Sequence, residues 1–100
     1  MSRAQPSPER PDDACRLPAR VVFANAAAEL AAASQALADG ARVFDLSACT
    51  DFDSSLLALL LELQRRAAAR GVATRVVSVP ANLRKLAALY GAESLLFTEA

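Results

Sequence analysis

Histidine and tryptophan are absent from this 100-residue sequence, and its formal net charge is zero, with 11 basic and 11 acidic side chains. Without histidine, the chain lacks the most common general base and the most common metal ligand. Without an excess of positive charge, it has no electrostatic field of the kind that nucleic-acid-binding proteins use. We therefore expect no enzyme activity, no catalytic residues, no metal, no cofactor and no nucleic-acid partner.

Long apolar segments and closely spaced cysteines are missing as well. The longest unbroken apolar run covers residues 56–61, whereas a helix that spans a bilayer needs about 20 residues. Residues 1–18 contain no apolar segment of the kind that forms the core of a signal peptide. Cys15 and Cys49 share no short spacing, so we expect two unpaired thiols in a reducing compartment. The sequence predicts a cytoplasmic protein without a membrane span.

Hydrophobic residues make up 54% of the chain, which is sufficient for one aliphatic core in a chain of this length. Four of the five prolines fall within residues 1–18, among serine and charged residues. Such a composition buries too little apolar surface to offset the entropy of ordering it. We therefore predict a flexible N-terminal tail over residues 1–15, which joins the sheet near its end, and a single domain over residues 16–100.

Strands and helices alternate along the predicted domain. A β-branched run predicts a strand over residues 20–23, and an alanine-rich helix over residues 26–38 follows, with Asn25 as its N-cap and Gly40 after its end. Residues 42–46 are apolar on both faces of the alternation, which predicts the central strand. Because helices separate the strands, we expect crossover connections and parallel pairing.

The most regular helix is predicted over residues 54–70. Asp53 supplies its N-cap, Glu62 pairs with Arg66 one turn later, and Gly71 follows its end. A strand over residues 73–79 and a helix over residues 82–90 come next, with the apolar face of that helix formed by Leu83, Leu86, Ala87 and Tyr90. Residues 95–97 either pack back on the core or form a short last element.

One candidate site is the segment 45–55, which runs from the end of a strand into the start of a helix. Ligands of open α/β sheets usually bind at such a place. Ser54 and Ser55 lie in the first helical turn, where free N–H groups and the helix dipole would stabilise a phosphate, while Asp51 and Asp53 would repel it. The alternative interpretation is that Asp53 only caps the helix and that the serines tolerate its first turn.

A second candidate is the flank of the same helix. Leu57 and Leu61 lie outside its normal core stripe, so the apolar arc is wider than a surface helix needs. Either a neighbouring helix covers them, or they mark a protein interface whose polar rim includes Arg65. A metal site at Asp45, Asp51 and Asp53 is not expected, because one of the three carboxylates is needed as a cap.

Several motifs resemble the STAS domain of anti-sigma factor antagonists and related proteins. These motifs are D-L-S at residues 45–47, D-S-S at residues 53–55 opening a leucine-rich helix, and the strand and short helix that follow. L-A-L-L-L at residues 57–61 and L-A-A-L-Y at residues 86–90 are similar to the MlaB-type subgroup, the STAS subunits of phospholipid ABC transporters. The resemblance implies an α/β fold with a small mixed sheet, parallel central strands and helices packed against the sheet.

For function, the resemblance implies a non-catalytic subunit of a bacterial transporter that maintains the lipid asymmetry of the outer membrane. The subunit would dock on the transporter's MlaF-like ATPase, in one complex with the permease, and lie at the inner membrane through that partner. The hydroxyl residue after the motif aspartate, here Ser54, would lie at the contact. Together with the apolar flank, this predicts partner binding by Asp53, Ser54, Ser55, Leu57, Leu61 and Arg65.

The alternative function that the resemblance implies is an anti-sigma factor antagonist. In such proteins a serine in this turn accepts a phosphate from an anti-sigma factor kinase, so both Ser54 and Ser55 are candidates for phosphorylation. One position departs from the family pattern, because Leu56 stands where glycine is usual. A leucine does not allow the same close backbone approach, which favours docking through the helix over a kinase-operated switch.

Overall fold

Nine secondary-structure elements alternate along the chain in a computed structural model that describes residues 14–97. Their order confirms the predicted α/β class. The elements are β1 Ala14–Arg16, β2 Arg20–Val21, α1 Phe23–Ala38, β3 Val43–Asp45, β4 Asp51–Phe52, α2 Ser54–Ala69, β5 Arg75–Val77, α3 Ala81–Leu89 and α4 Glu93–Leu96.

The main sheet has three parallel strands in the order β1-β3-β5, which confirms β3 as the central strand. Cys15, Phe44 and Val76 are aligned across it, and Phe44 is almost completely buried. The short strand β4 was not predicted, and it pairs in parallel with β2 in a separate two-stranded sheet. Within residues 14–97 every strand pair is parallel, so an antiparallel member of the expected mixed sheet is not among these strands.

Helices α1 and α2 lie side by side and run in the same direction. The start of α1 is bonded to Asp53 at the start of α2, and near their ends Arg66 Nη1 donates to Ser34 Oγ at 2.7 Å. Helices α3 and α4 also pack against α2. Because three helices surround α2, its buried arc is wider than that of a one-sided surface helix.

The three long helices end as the sequence predicts. After each helix, a glycine with positive φ reverses the chain, a conformation that side chains with a Cβ rarely adopt. The N–H of the next residue then returns to a carbonyl in the last turn. These bonds run from Ala41 to Ala36, from Val72 to Ala67 and from Ala92 to Ala87, at 2.8–3.0 Å.

The start of α1 differs from the prediction. The extended segment stops at Val21, and the helix begins at Phe23 rather than at residue 26. Asn25 is therefore not the N-cap but a residue of the first turn, where its Oδ1 accepts the Val22 N–H and its Nδ2 donates to the Arg20 carbonyl, both at 2.8 Å. Asn25 still stabilises the helix start, from inside the helix.

At the N-terminal boundary, Ala14 and Cys15 belong to β1, although the sequence places them in the tail. The first described strand therefore starts two residues before residue 16. Residues 1–13, the rest of the predicted tail, lie outside the described residues.

The C-terminal helices α3 and α4 differ from the prediction at Tyr90 and agree with it at residues 95–97. Leu83 and Ala87 are buried as predicted, but the Tyr90 side chain is 64% exposed. The reason is that α3 ends at Leu89 and Tyr90 is its C-cap. Residues 95 and 96 belong to the short last element α4, and Leu96 and Phe97 are buried, so the segment both forms a short element and packs back on the core.

Candidate functional site

The N-termini of α1 and α2 meet at one carboxylate, that of Asp53. Its Oδ1 accepts the Ser55 N–H at 2.8 Å, which confirms Asp53 as the N-cap of α2. Its Oδ2 accepts the Phe23 N–H at 3.1 Å, so the same side chain also caps α1. These backbone hydrogen bonds, from Ser55 first and then from Phe23, hold the pKa of Asp53 below its usual value. Asp53 therefore fixes the two helix starts relative to each other.

The structure distinguishes the two serines of the first turn. The Ser55 hydroxyl donates to Asp53 and so takes part in the cap. Ser54 is exposed, and within the described part of the chain its hydroxyl has no hydrogen-bond partner. Of the two predicted residues, Ser54 is thus the one whose hydroxyl is available to another molecule.

An apolar groove of about 450 Å³ runs between α1 and α2 from this point. Its walls are alanine and leucine side chains of both helices, and Phe23 stands at its end with 85% of its surface exposed. We call Phe23, Ala27, Ser54, Ser55 and Ala58 the α1/α2 surface. An exposed phenylalanine beside an apolar groove is typical of a binding surface. Sequence reasoning missed Phe23 because the V-V-F run was interpreted as a strand.

Glu62 closes the groove and is the centre of an ion-pair cluster. Its carboxylate accepts two bonds from Arg65, at 2.7 and 2.9 Å, and one from Arg66 at 2.8 Å. The pair with Arg66 was predicted from the spacing, whereas the bidentate contact with Arg65 was not. The hydrogen bonds from Arg65 and then Arg66 lower the pKa of Glu62 to about 2.

Replacing Glu62 by glutamine should reduce the acid sensitivity of folding. Because the folded pKa lies below the ordinary value of 4.5, the ionised carboxylate stabilises the fold above that value, and this stabilisation is lost as the pH falls towards 2. We expect a lower urea midpoint for Glu62→Gln than for wild type at pH 7, and a difference between the two midpoints that narrows as the pH falls from 4.5 towards 2. Glu93→Gln, outside the cluster, is the control. A constant difference between Glu62→Gln and wild type from pH 7 to 2.5 would contradict the assignment.

The other predicted partner-binding residues lie at different depths along α2. Arg65 and Ser54 share the exposed strip of the helix with Ala58, since all three fall within an arc of about 40°. Leu61 is half-buried and packs against the core. Leu57 is buried, with 3% of its surface exposed, so the expectation that it lies outside the core is wrong. The physical reason is the wide buried arc of α2 under its three neighbouring helices. The role of Leu57 in partner binding stays a prediction.

Asp45, the first residue of the D-L-S motif, belongs to a separate network at the carboxyl ends of the strands. Partial desolvation would raise its pKa, but the backbone N–H and hydroxyl of Ser47, the Ser78 hydroxyl and the Arg16 guanidinium together lower it. The Ser47 N–H bond is 2.8 Å and the Arg16 ion pair 3.7 Å. Asp45 therefore orders the loop between β3 and β4 and does not belong to the α1/α2 surface.

Metal and thiol chemistry have little support in residues 14–97. This part of the chain holds no group of three or more Cys, Asp or Glu side chains that could bind a metal ion. Both cysteines are free, and burial raises the pKa of each thiol, helped by Glu29 for Cys15 and by Asp51 for Cys49. Raised pKa values make both thiols poor nucleophiles. Among the same residues, no helix combines the length and apolarity that crossing a bilayer requires.

The parallel sheet, the packed helices and the α1/α2 surface at the start of α2 define the class, a small α/β domain of the STAS type. Residues 10–97 match the family model described as "Mlab, STAS domain", and the chain belongs to this MlaB-like STAS family. The resemblance inferred from the motifs is thereby confirmed. Comparisons with curated proteins and with solved structures gave no match.

Proposed function

We propose that this protein is a non-catalytic subunit that binds the ATPase of an Mla-type phospholipid ABC transporter. It would support the assembly and activity of the complex of ATPase and permease, and through them the lipid asymmetry of the outer membrane. In this role it lies in the cytoplasm and reaches the inner membrane through its partner. Membership of the MlaB-like STAS family supports this proposal.

The observation that carries the proposal is the combination of Phe23 and Ser54 on one surface. The carboxylate of Asp53 caps both helix starts and so holds the two residues in a fixed arrangement. Phe23 offers an aromatic anchor for an apolar pocket of the partner, and the Ser54 hydroxyl offers a directional hydrogen bond. The small side chains of Ala27 and Ala58, both exposed, allow the partner to approach closely.

The rim of this surface carries charge that can orient the partner. Arg65 is exposed on the strip next to Ser54 and Ala58, and Glu62 holds its guanidinium by a bidentate contact. A guanidinium fixed in this way loses little further entropy when a partner carboxylate binds it. Leu61, half-buried at the edge of the strip, extends the apolar part of the contact.

The alternative function is that of an anti-sigma factor antagonist switched by phosphorylation. The observation in its favour is the exposed Ser54 hydroxyl, which an anti-sigma factor kinase could reach. A phosphate on Ser54 would add about −1.5 to −2 charges near Asp51 and Asp53, and this repulsion would release the partner. Ser55 is the weaker acceptor because its hydroxyl already bonds to Asp53.

Affinity purification of the tagged protein from its own host, followed by mass spectrometry, tests both functions. We expect an ABC ATPase and its permease to be enriched, and the intact mass to show no phosphate. Ser54→Asp should reduce recovery of the ATPase, because it removes the hydroxyl and adds charge, while the solvent-exposed control Ser94→Asp should not. A serine kinase in place of the transporter proteins, with a phosphate on Ser54, would overturn the transporter proposal.

A further inference from the structure

The strand β5 has a free edge. It pairs with β3 on one side, and within residues 14–97 no other strand pairs with it. The Arg75 N–H donates to the Arg42 carbonyl, and the Val77 carbonyl accepts the Leu46 N–H. Because successive residues of a strand direct their backbone groups to opposite sides, both the N–H and the C=O of Val76 face the free edge. Such groups can pair with a further strand.

A groove of about 620 Å³ follows this edge. One wall is β5 with the residues on either side of it, and the other includes Gln64, Arg84 and Leu95. Leu95 is 59% exposed, which gives the groove an apolar contact for a bound side chain. A groove with a strand edge along it is suited to an extended peptide, which gains main-chain hydrogen bonds from the edge and side-chain contacts from the walls.

The charge of the groove indicates the chemistry of its occupant. The charged side chains that line it are Arg75 and Arg84, and none of the described residues lining it is acidic. Arg84 lies over the Phe97 ring, with its Cζ 5.4 Å from the ring centroid, and Arg75 is exposed beside Val76. Antiparallel pairing of β5 with the β5 of a second copy, centred on Val76, would place the two Arg75 side chains as diagonal neighbours on one face of the sheet, within reach of each other's charge. An acidic segment would instead place its carboxylates beside the exposed Arg75 guanidinium.

We propose that the free edge of β5 binds an extended, acidic segment of a partner protein, which adds a strand beside Val76. This site shares no residue with the α1/α2 surface, so it stands whether or not the ATPase is the partner of that surface. It would give the domain a second point of attachment, and two linked contacts bind far more tightly than either contact alone.

The experiment uses the complete chain and a phage-displayed library of random heptapeptides. Selected peptides are resynthesised, and their dissociation constants are measured against four proteins: wild type, Val76→Pro, Arg75→Glu and Lys85→Glu. Val76→Pro deletes the outward N–H while leaving the bonds from Arg75 and Val77 to β3 in place. Lys85→Glu, on the exposed side of α3, makes the same change in net charge as Arg75→Glu without touching the groove.

We expect acidic peptides that lose at least tenfold in affinity with Val76→Pro and with Arg75→Glu but keep their affinity for Lys85→Glu. Thermal melts show whether each variant is folded. If Val76→Pro does not fold, the comparison of Arg75→Glu with Lys85→Glu still tests the proposal. Selection of basic or uncharged peptides would overturn the proposal, as would acidic peptides that bind Arg75→Glu as tightly as wild type. Self-association of the wild-type protein that Val76→Pro abolishes would also overturn it, because the edge would then bind a second copy.

Discussion

Replacing Phe23 by aspartate should weaken binding of the proposed partner, the transporter ATPase, by a factor of about thirty or more without unfolding the domain. The phenyl ring is 85% exposed, so its removal costs the isolated fold little. An acidic side chain in the first turn of α1 interacts favourably with the helix dipole, which offsets part of its repulsion by the nearby Asp53 carboxylate. An aromatic anchor at the centre of an interface typically contributes about 2 kcal/mol or more, which corresponds to this loss of affinity.

The measurement is the dissociation constant of the purified protein for the ATPase, together with a thermal melt of each variant. Leu89→Asp is the matched control, because Leu89 is also a large apolar residue with 82% of its surface exposed, but it lies at the end of α3. If Phe23→Asp binds as tightly as wild type while Leu89→Asp does not, the docking surface lies near α3 and the α1/α2 surface is wrong.

Replacing Leu57 by aspartate should unfold the domain. Leu57 is buried in the core with 3% of its surface exposed, and a buried carboxylate without a partner costs about 3–5 kcal/mol or more. A domain of this size has a total stability of about 5–15 kcal/mol. We therefore expect the urea midpoint of Leu57→Asp to fall sharply and its cooperative melt to be lost near physiological temperature.

Two control variants show whether the loss of stability comes from placing a charge in the core. One keeps residue 57 apolar, and the other places the same charge at the exposed neighbouring position. Leu57→Met conserves volume and apolarity and should cost less than about 1.5 kcal/mol. Ala58→Asp changes the next residue, which is exposed, and should leave the melt nearly unchanged while reducing ATPase binding. A folded Leu57→Asp protein that fails to bind the ATPase would instead place Leu57 in the interface, as the sequence first indicated, and would contradict its burial.

Local signals in the sequence predicted the parts of the fold that depend on neighbouring residues. The cap at Asp53, the pair between Glu62 and Arg66 and the glycines after three helices are interactions within about one turn of helix. Their geometry follows from the backbone conformation alone. The central position of β3 was also predictable, because residues 42–46 are apolar on both sides of the alternation, as expected of an interior strand that is covered on at least one face.

Contacts between segments distant in sequence explain what the sequence did not predict. The helix α1 begins early because Asp53, 30 residues away, accepts the Phe23 N–H. The strand β4 has only two residues and exists through its pairing with β2. Neither interaction leaves a periodic pattern in its own segment, and so neither can be found by examining a window of sequence.

The candidate site divides in the same way. The D-S-S motif placed Asp53, Ser54 and Ser55 at a helix start, but only the folded chain shows that Ser55 is engaged in the cap and Ser54 is exposed. The width of the apolar arc on α2 suggested an exposed flank, but Leu57 is buried in the core of a domain where α2 packs against three other helices. Periodicity gives the direction of a side chain but not what covers it.

The sequence by itself determined the α/β class, the parallel pairing of the strands, the helix ends and the membership of the STAS family. These properties depend on local backbone preferences and on the residue types at fixed spacings. The tertiary structure alone decided which apolar residues face solvent, which of the two serines is exposed, and that Phe23 lies beside the start of α2. The exposed fraction of a side chain depends on which other segments cover it, and the arrangement of those segments is fixed only when the whole core packs.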